Sequence, residues 1–371
     1  MPLGSAGRVL ILGGGPAGLA AAFALAGRGI SVVLFERSGY RDFRVGEHLP
    51  PGGIPLLGKS GLSGLADGKV HKKCTGVDAW WGGEVANHMD YLFHPIGFGL
   101  NLSRPRFDAS LARACTSAGV QLLTNARLRT ATRSGASWMA RVESRESVAE
   151  YRADVIVDAT GRSAAFARSQ GSSIRAADCQ VALIALRSSE EQLDERSGRV
   201  LIESIEHGWW YFAPLCGRRC VGMFMTDGDL LKRTAGNAYA AWGQGLQCTR
   251  YARERIAQYP RLAHFAVRGA RSQRLSRFCG DGWIATGDAA LSFDPLSSQG
   301  IAKGLEEGGQ AAHAVGAYLG GDGSALEKLA GRFATSFADY EQTRLGYYAL
   351  ERRWPNAPFW RRRQSAAPLI A

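Results

Sequence analysis

The sequence predicts an α/β fold in its first part and an α+β arrangement with an antiparallel sheet in its second part. Residues 8–37 follow the order strand, glycine-rich turn, helix and second strand. Two more tight turns follow buried strands at residues 158–161 and 287–288, and successive short strands occupy residues 179–226. Strands that alternate with helices favour a parallel sheet, whereas strands in succession favour an antiparallel one.

The first predicted element is a strand that leads into a glycine-rich turn and a helix. Arg8–Leu12 is rich in leucine and β-branched residues, and Gly13, Gly15 and Gly18 follow at G-x-G-x-x-G spacing before an alanine-rich run. Gly13 permits a tight turn, Gly15 lets a pyrophosphate approach the backbone, and Gly18 lets the helix pack on the strand. This pattern is typical of a Rossmann-like dinucleotide-binding unit.

A second strand completes this unit and ends in an acid. Glu36 lies 23 residues after Gly13, at the end of SVVLFE. At that position a carboxylate accepts hydrogen bonds from the ribose hydroxyls of an adenosine, while the helix N-terminus faces the phosphates. The unit therefore predicts a bound dinucleotide.

Composition limits the class of protein. The 371 residues are 46% hydrophobic and 21% charged, which allows about two domains and a large core. The most apolar run, Val9–Ala26, is too short and too glycine-rich to span a bilayer, and no charged n-region with a cleavage site precedes it. We therefore expect a soluble cytoplasmic protein with no membrane partner.

The formal net charge of +12 requires an explanation. Arginines are spread along the chain, and their densest run, Arg361–Arg363, lacks a nucleic-acid motif. We expect no nucleic-acid partner and attribute the charge to a phosphate pocket and an acidic protein partner. Cys216 and Cys220 have no second pair or nearby histidine to complete a zinc site, so we predict no metal and interpret the seven cysteines as reduced core thiols.

The glycine- and proline-rich segment after Glu36 is predicted to be a loop across the cofactor crevice. It offers Arg37 and Arg44 as phosphate or carboxylate contacts. Residues 74–100 are aromatic and glycine-rich, which is typical of a sheet insertion that lines a pocket. Trp80 and Trp81 within this insertion fit either core packing or a substrate wall, and both interpretations stay open.

The middle of the chain returns to alternating helices and strands. Apolar residues Phe107, Leu111 and Ala114 recur at helical spacing, and the run VQLLTNARL behind them is predicted as a strand. A further buried strand ends at the tight turn Asp158–Gly161. Parallel sheets place ligands at such carboxyl ends of strands.

The last cofactor-type element is a strand, a loop and a helix that begins near Gly300. The strand ends at Gly287 and Asp288, and Asp288 can hold ribityl or ribose hydroxyls. Residues 297–300 free the first amides of the helix, which carry partial positive charge. Such amides stabilise the negative charge that an isoalloxazine gains near N1 and O2 on reduction.

Three motifs in this order resemble those of the FAD-dependent class A monooxygenase and tryptophan-halogenase superfamily. They are GGGPAGL with Glu36 and Arg37, DATG at 158–161, and GDAALSFDPLSSQG at 287–300. The resemblance covers nearly the whole chain. It implies the FAD-binding fold of p-hydroxybenzoate hydroxylase and glutathione reductase, joined to an antiparallel substrate domain and C-terminal helices.

Three further stretches are similar to one group within that superfamily. VGEHLPP, GWWYFAPL and YYALERRWPNAPFWRRR resemble the small flavoproteins that mature quinone-cofactor amino-acid oxidases, the lysine-ε-oxidase and glycine-oxidase type. That likeness implies hydroxylation of a tryptophan side chain within a precursor protein, on the way to cysteine tryptophylquinone. A small aromatic substrate is the alternative.

The resemblance implies that FAD is the cofactor, that reduced FAD and O2 form a C4a-hydroperoxide, and that its distal oxygen passes to an indole carbon. No second G-x-G-x-x-G follows a strand, so NAD(P)H must dock transiently or a separate reductase must reduce the flavin. A flavoprotein that only holds the precursor, with FAD in a structural role, is the non-enzymatic alternative.

The expected site has three parts. The cofactor-binding residues are Gly13, Gly15, Pro16, Ala17, Gly18, Glu36, Arg37, Arg44, Arg104, Asp158, Gly161, Gly287, Asp288, Pro295, Gly300 and Ile301. The substrate-pocket residues are Trp80, Trp81, Trp209, Trp210 and Tyr211. The catalytic candidates are His48, Glu47 and Lys73, and for His48 a hydrogen bond to the backbone is an equally good interpretation.

The halogenase branch is the nearest rival. Its W-x-W-x-I-P motif aligns with Trp209 to Pro214, where two of four positions match, while its F-x-P-x-S-x-G element matches residues 293–300. A halogenase also needs a lysine to relay hypohalous acid, and Lys72 and Lys73 fall near the expected region, although adjacent lysines also fit a solvated edge. The departures favour hydroxylation.

The predicted domain division alternates along the chain. FAD-binding segments are expected at residues 1–73, 103–175 and 276–325. Substrate-domain segments are expected at residues 74–102, as an insertion, and 176–275, as the antiparallel sheet. Residues 326–371 are expected to form a C-terminal helical segment.

Overall fold

The computed structural model describes residues 9–61, 70–145, 147–191, 198–232 and 237–364, and it has the mixed α/β architecture that the sequence predicts. Its helices are α1 (Pro16–Ala26), α2 (Ile54–Lys59), α3 (Arg104–Ser117), α4 (Ala165–Ser169), α5 (Gly228–Lys232), α6 (Ala238–Gln247), α7 (Tyr251–Ala257), α8 (Gly300–Leu319), α9 (Ala325–Ala349) and α10 (Pro358–Gln364). Its first eleven strands are β1 (Val9–Leu12), β2 (Val32–Glu36), β3 (His48–Leu49), β4 (Lys72–Cys74), β5 (Gly76–Trp80), β6 (Asn87–Asp90), β7 (Gly99–Asn101), β8 (Gln121–Thr124), β9 (Arg127–Ser134), β10 (Ser137–Glu143) and β11 (Val148–Ala153). The remaining strands are β12 (Val155–Asp158), β13 (Ile174–Ala176), β14 (Gln180–Ser188), β15 (Val200–Ile205), β16 (Gly208–Leu215), β17 (Arg219–Asp227), β18 (Arg261–Gly269), β19 (Gln273–Leu275), β20 (Cys279–Gly280), β21 (Trp283–Ala285) and β22 (Leu291–Ser292).

A six-stranded sheet forms the centre of the nucleotide-binding part. Its strand order is β20-β21-β12-β1-β2-β8, and the five strands from β21 to β8 run parallel. The four residues of β1 and the five of β2 are all buried, as expected for strands covered on both faces. The carboxyl ends of β1, β12 and β21 therefore meet at one edge of the sheet.

Two glycines of the first turn are required by close backbone contacts. Gly13 has a φ of +107°, and a Cβ there would lie 2.2 Å from the carbonyl oxygen of Ala159. A Cβ on Gly18 would lie 1.9 Å from the carbonyl oxygen of Gly13. These two positions fix the turn and the packing of α1 for reasons internal to the fold.

The long helix α8 packs lengthwise on α1. A Cβ on Gly308 would lie 2.2 Å from the carbonyl oxygen of Ala17, so glycine allows the two helices to approach closely. Leu305 and Val315 of α8 are buried in the same core, and Phe333 and Phe337 of α9 cover it from outside. The N-terminus of α8 is thereby held beside the N-terminus of α1.

A seven-stranded sheet forms the second part. Its strand order is β18-β14-β17-β16-β15-β5-β6, and every neighbouring pair is antiparallel except β5 with β15. One face carries Ile184 and Tyr211 and turns toward the nucleotide-binding part and the C-terminal helices. The opposite face carries Trp210 and Phe224 and is covered by α6 and α7.

The C-terminal helices close the first of these faces. Phe359 and Trp360 of α10 are fully buried, and the indole nitrogen of Trp360 donates a hydrogen bond to the carbonyl oxygen of Ile205. Arg363 is also buried and pairs with Asp227 at 2.7 Å. The C-terminal segment is therefore part of the core of this half.

One detail differs from the sequence interpretation. All seven cysteines are free, but Cys179 and Cys248 are exposed, so not all of them are core thiols. Among the described residues, no helix combines the length and the apolar composition that crossing a membrane requires.

Candidate flavin and substrate site

A cavity of about 300 Å³ lies between the two large sheets. The nucleotide-binding part contributes Gly15, Pro16, Ala17, Ala159, Gly161, Arg162, Thr286 and Asp288, and the loop before α8 with its first turns contributes Phe293, Asp294, Pro295, Ser297, Ser298, Gln299, Gly300, Ile301 and Gly304. The segment 45–48 and Arg104 form a third wall. The seven-stranded sheet, with the residue that follows β18, contributes Ala182, Ile184, Tyr211, Met223, Met225, Arg268, Gly269 and Ala270.

The N-termini of α1 and α8 both face this cavity. Gly15 precedes α1 and Gln299 precedes α8, and neither helix start has a side-chain cap. A Cβ on Gly15 would meet no atom within 4 Å, so the backbone at that position faces open space. Two uncapped helix starts of partial positive charge are suited to the phosphates and the electron-rich pyrimidine ring of a flavin dinucleotide.

Glu36 is fixed beside the first turn. Its carboxylate accepts hydrogen bonds from the amides of Gly14 at 2.7 Å and Ser38 at 2.9 Å. Arg44 pairs with Glu36 at 2.7 Å and with Asp108 at 2.9 Å. Arg44 therefore orients two carboxylates and does not line the cavity.

Arg37, which the sequence suggested as a phosphate contact, is exposed and also lies outside the described cavity wall. It follows the last residue of β2, so its side chain points away from the buried face that Glu36 occupies. Neither arginine belongs to the described cavity wall, and neither does Glu36, so the contacts of Arg37 and Arg44 with the cofactor stay a prediction.

Asp158 and Asp288 have different surroundings. Asp158 is fully buried and accepts hydrogen bonds from Thr160 and from the amide of Ala167, so it fastens its own turn instead of facing the cavity. Burial raises the pKa of Asp158, and those hydrogen bonds oppose the rise. Asp288 lines the cavity between Arg162 and Lys303, at 3.7 Å and 3.6 Å.

The predicted glycine at position 287 has a structural role. Gly287 has a φ of +61°, and a Cβ there would lie 2.6 Å from the Cβ of Ala17.

Thr286 lines the cavity, and the Thr286 hydroxyl is buried without a hydrogen-bond partner among the described residues. The open backbone at Gly15, the orphaned hydroxyl and the two helix starts together fit FAD, and Asp288 would hold its hydroxylated chain.

His48 is held by two neutral partners. Asn101 donates from its side-chain nitrogen to the carbonyl oxygens of Gly198 and Pro214, so its Oδ1 faces His48 Nδ1 at 3.1 Å and must accept. His48 Nε2 therefore accepts from the Tyr91 hydroxyl at 2.9 Å. Burial lowers the pKa of His48 to about 4, so the ring is neutral at pH 7. Both ring nitrogens are therefore hydrogen-bonded to neighbouring side chains, and a catalytic role for His48 stays a prediction.

Glu47 lies in the same wall and is 1% exposed. Neither oxygen of its carboxylate has a hydrogen-bond partner of good geometry among the described residues. Burial raises the pKa of Glu47 to about 7, while Arg104 and the backbone amides of Gly46 and Glu47 oppose that rise. A buried carboxylate at a cavity wall whose oxygens have no hydrogen bond of good geometry is an acceptor suited to a ligand.

Tyr211 is the one predicted pocket aromatic that lines the described cavity. Trp210 projects to the opposite face of β16, where its ring stacks on Phe224 with centroids 5.4 Å apart. Trp209 shares the face of Tyr211, but it is fully buried and donates from its indole nitrogen to Tyr348. Consecutive residues of a strand alternate faces, so these three could not all line one cavity.

Trp80 and Trp81 lie elsewhere as well. Trp80 stacks on Tyr251 at 3.9 Å, and Trp81 packs edge-on against Trp360 at 5.2 Å. Their insertion joins the far end of the seven-stranded sheet as β5 and β6. The core-packing interpretation therefore holds for both tryptophans, and residues 74–100 do not line the described cavity.

Lys73 does not reach the cavity in the described part of the chain. It is exposed on β4, and its ammonium lies 4.7 Å from the centre of the Phe98 ring. Lys72 beside it is 8% exposed, so the pair is not a solvated edge, because alternate residues of β4 face opposite sides. No lysine belongs to the described cavity wall.

Many lining residues were missed by sequence reasoning, among them Met223, Met225 and Asp294. Met223 and Met225 are two positions apart on β17, so the sequence alone indicates that they share one face of the strand. That this face is also the face of Tyr211 depends on the strand register. Asp294 is 1% exposed and accepts a hydrogen bond from the Tyr348 hydroxyl at 2.8 Å, a contact across 54 residues. Burial raises the pKa of Asp294.

The cavity thus has a polar end and an apolar end. The helix starts and Asp288 form the end suited to a dinucleotide. Ile184 and the two methionines form an apolar floor beside Glu47 and Tyr211. Burial, together with the nearby Glu47 charge, raises the pKa of Tyr211 well above its ordinary value, so its hydroxyl stays protonated. This end can hold a flat aromatic group and accept one hydrogen bond from it.

Comparisons with known proteins agree with this arrangement. The family model of the FAD binding domain matches residues 7–329. The putative FAD-dependent oxidoreductase LodB of Marinomonas mediterranea is 29% identical over 367 residues, which cover 97% of both chains.

Two solved structures have the same fold. The myxobacterial chondrochloren halogenase CndH superposes with a TM-score of 0.88 at 22% identity, over 97% of this chain and 86% of that one. The peptidyl tryptophan dihydroxylase QhpG, which is essential for tryptophylquinone cofactor biogenesis, superposes with a TM-score of 0.78 at 24% identity, over 99% and 80%.

Proposed function

Because the chain belongs to the family defined by this FAD binding domain and is an FAD-dependent oxidoreductase, we propose that it hydroxylates a tryptophan side chain within a precursor protein. The product would serve the biogenesis of a tryptophylquinone cofactor. The end-to-end similarity to LodB and the shared fold with a peptidyl tryptophan dihydroxylase support this substrate.

One observation carries the proposal within the site. Glu47 is a buried carboxylate with no hydrogen-bond partner of good geometry among the described residues, and it borders the apolar end of the cavity. An indole presents one N–H donor on an otherwise apolar ring. Leaving the carboxylate unpaired costs about 1–3 kcal/mol or more, so a substrate that supplies this one donor gains selectively.

The chain's own residues then have distinct tasks. When bound and reduced, FAD supplies the activation of O2. Glu47 accepts the indole N–H, which raises the electron density of the ring, and with a pKa of about 7 it can take up that same N–H proton as positive charge develops on the attacked ring. Ile184, Met223 and Met225 exclude water from the ring. His48 is neutral at pH 7 and holds the Tyr91 hydroxyl in place.

Halogenation is less well supported. The fold of CndH is shared, but a hypohalous acid relay needs a lysine at the substrate, and no lysine lines the described cavity. Lys73 lies on β4 with its ammonium over Phe98. Hydroxylation needs no such residue, and the electrons come from transient NAD(P)H or from a separate reductase.

The test is co-expression with a tryptophan-containing precursor of a tryptophylquinone-dependent oxidase, followed by peptide mass spectrometry. We expect a gain of oxygen on one tryptophan, and no gain when Gly15 is replaced by valine, because the new side chain enters the open space that fits the pyrophosphate. The purified Gly15→Val protein should be folded and colourless. A yellow, fully loaded variant would contradict the cofactor placement.

The substitution Glu47→Gln tests the substrate end of the cavity separately from cofactor binding. The variant should retain FAD, since Glu47 is at the apolar end, and should lower oxygen transfer by about 10²-fold or more, the range for loss of a proton-transfer group. Chlorine or bromine on the tryptophan would replace this proposal with halogenation. An unmodified precursor alongside hydroxylated free aromatics would replace it with small-molecule hydroxylation, and retained FAD without substrate-dependent oxygen uptake would point to a holding protein.

A further inference from the structure

The strand β18 is an open edge of the seven-stranded sheet. It pairs with β14 on one side, and among the described residues no strand pairs with its other side. Seven of its nine residues are exposed, including Leu262 at 42% and Val267 at 37%. Such an edge presents unpaired backbone N–H and C=O groups that can accept a further strand.

This edge leads directly into the cavity. Arg268, Gly269 and Ala270 belong to the cavity wall, and Arg268 lies opposite Ala182 of β14, which is also in the wall. Residues directly opposite in a sheet share a face, so Arg268, and two residues earlier Ala266, face the side on which the cavity lies. A strand added outside β18 would lie about 4.8 Å from this wall.

The loop at residues 37–47, called the crevice loop below, covers part of this edge. The rings of Phe43 and His264 are 5.4 Å apart, so the loop touches the cavity face of β18 near its middle. Gly46 and Arg268 both line the cavity and are both exposed, so we infer that the cavity opens to solvent beside them, at an opening called the mouth below. A side chain that enters at this mouth passes from the outer edge of β18 toward Glu47.

The charge of this edge selects a partner. Residues 261–271, RLAHFAVRGAR, contain three arginines and one histidine but no acid. Arg261 pairs with Glu190 at the far end, whereas Arg268 and Arg271 are exposed near the mouth. Basic side chains on a free edge repel basic strands and attract acidic ones.

The opposite edge of the same sheet has a different character. All four residues of β6 are exposed, but the strand contains Asp90, and exposed apolar side chains such as Met89 and Phe93 lie in it or next to it. None of these residues lines the described cavity. The two edges therefore give a matched comparison within one molecule.

We propose that the free edge of β18 docks the protein substrate: an extended acidic segment pairs with this strand and inserts its tryptophan at the mouth between Gly46 and Arg268. This inference rests on the proposed function and specifies how a protein, not a free amino acid, reaches the cavity. Side chains two positions apart share a face, so acids at two residues before and after the tryptophan lie on the same face as Arg268.

The test uses two synthetic peptides of one composition with the flavin-loaded protein. The first is acetyl-Thr-Asp-Thr-Trp-Thr-Asp-Thr-amide, and the second, acetyl-Thr-Thr-Asp-Trp-Asp-Thr-Thr-amide, moves both acids to the other face. Amide hydrogen exchange should show new protection at residues 261–269 with the first peptide, and none at residues 87–90 of β6. The second peptide should bind more weakly, because its acids face away from Arg268.

Variants then test the charge. Arg268→Glu should weaken binding of the first peptide about tenfold, and added salt should weaken wild-type binding as well. Arg129→Glu, on the separate strand β9 and also exposed, should change binding less than about twofold. Binding without protection of residues 261–269, or equal binding of both peptides, would overturn the docking proposal.

The outcomes for docking and for chemistry separate. If the precursor tryptophan gains oxygen equally in wild type and in a folded, flavin-loaded Arg268→Glu protein, the docking proposal fails while the hydroxylase function stands. If residues 261–269 gain protection but no tryptophan is modified with reductant and O2 present, docking stands and the hydroxylase function fails.

Discussion

The two faces of the seven-stranded sheet carry similar kinds of side chain, but different elements of the fold pack against them. On one face Tyr211, Met223 and Met225 border a cavity. On the other, Trp210 and Phe224 are packed beneath α6 and α7, where Trp242 meets Trp210 edge-on at 5.2 Å. Large aromatic and sulfur-containing residues thus serve a binding site on one face and a closed core on the other.

The difference shows that the elements packed against a side chain, and not its residue type, decide whether it lines a binding site or a closed core. Tyr211 and Trp210 are adjacent in β16, and both are nearly or fully inaccessible to solvent. Only Tyr211 neighbours Glu47, whose charge acts on it, because only that face meets the crevice loop. Substitutions on the helix-covered face should therefore change stability, and those on the cavity face should change ligand binding.

The largest expected effect is on the helix-covered face. Trp210→Ala removes a fully buried side chain stacked on Phe224, and it should lower the free energy of unfolding by about 3–5 kcal/mol. Urea unfolding followed by fluorescence measures the change. FAD affinity of the folded fraction should stay near the wild-type value, since Trp210 does not reach the cavity.

The matched control is Tyr211→Phe, one residue along the same strand. The substitution keeps the ring and removes only the hydroxyl, so the free energy of unfolding should change by about 1 kcal/mol or less. A Trp210→Ala protein that unfolds like wild type but loses FAD would show that the assignment of the two faces is wrong.

The sequence predicts the nucleotide half better than the substrate half for a physical reason. Gly13, Gly15, Gly18 and Glu36 act within one continuous strand-turn-helix unit, so their spacing alone sets their geometry. The overall α/β fold and the FAD cofactor follow from such local units, and both are confirmed.

The walls of the substrate end depend on contacts between distant segments. Arg268 reaches the cavity because β18 pairs with β14, about 80 residues earlier in the chain. Sequence spacing does not reveal which strands pair or in what register. The sequence interpretation therefore places Trp209 and Trp210 in one pocket with Tyr211, and it does not include Arg268. Glu47 was identified from its loop, but its lack of partners depends on the packing around it.

A second, somewhat smaller effect concerns pH and the cavity face. The pKa of Glu47 in the folded chain, about 7, lies above that of an unfolded glutamate, because burial disfavours the charge. The folded state therefore binds more protons between these values. This contribution to stability is fully present below about pH 4 and is lost as pH rises through about 7.

Glu47→Gln removes this titration. The difference in unfolding free energy between wild type and Glu47→Gln should shift by about 3 kcal/mol, against the wild type, from pH 4 to pH 8. Urea titrations at several pH values measure it, and contributions from all other groups cancel in the difference. A constant difference across this range would mean that Glu47 is ionised throughout, with a partner among the cavity residues.

The smallest expected effect compares neighbours on β17. Met223→Leu on the cavity face conserves volume beside open space, so the free energy of unfolding should change by less than about 1 kcal/mol. Phe224→Leu on the other face breaks the stack with Trp210 and should cost about 1–2 kcal/mol. The order should reverse for binding of an indole-containing peptide, which Met223→Leu alters because a branched side chain reshapes the cavity floor, while Phe224→Leu leaves it within about twofold. Thermal unfolding and peptide titration on the same two proteins decide the matter, and a larger binding change in Phe224→Leu would show that the helix-covered face also communicates with the site.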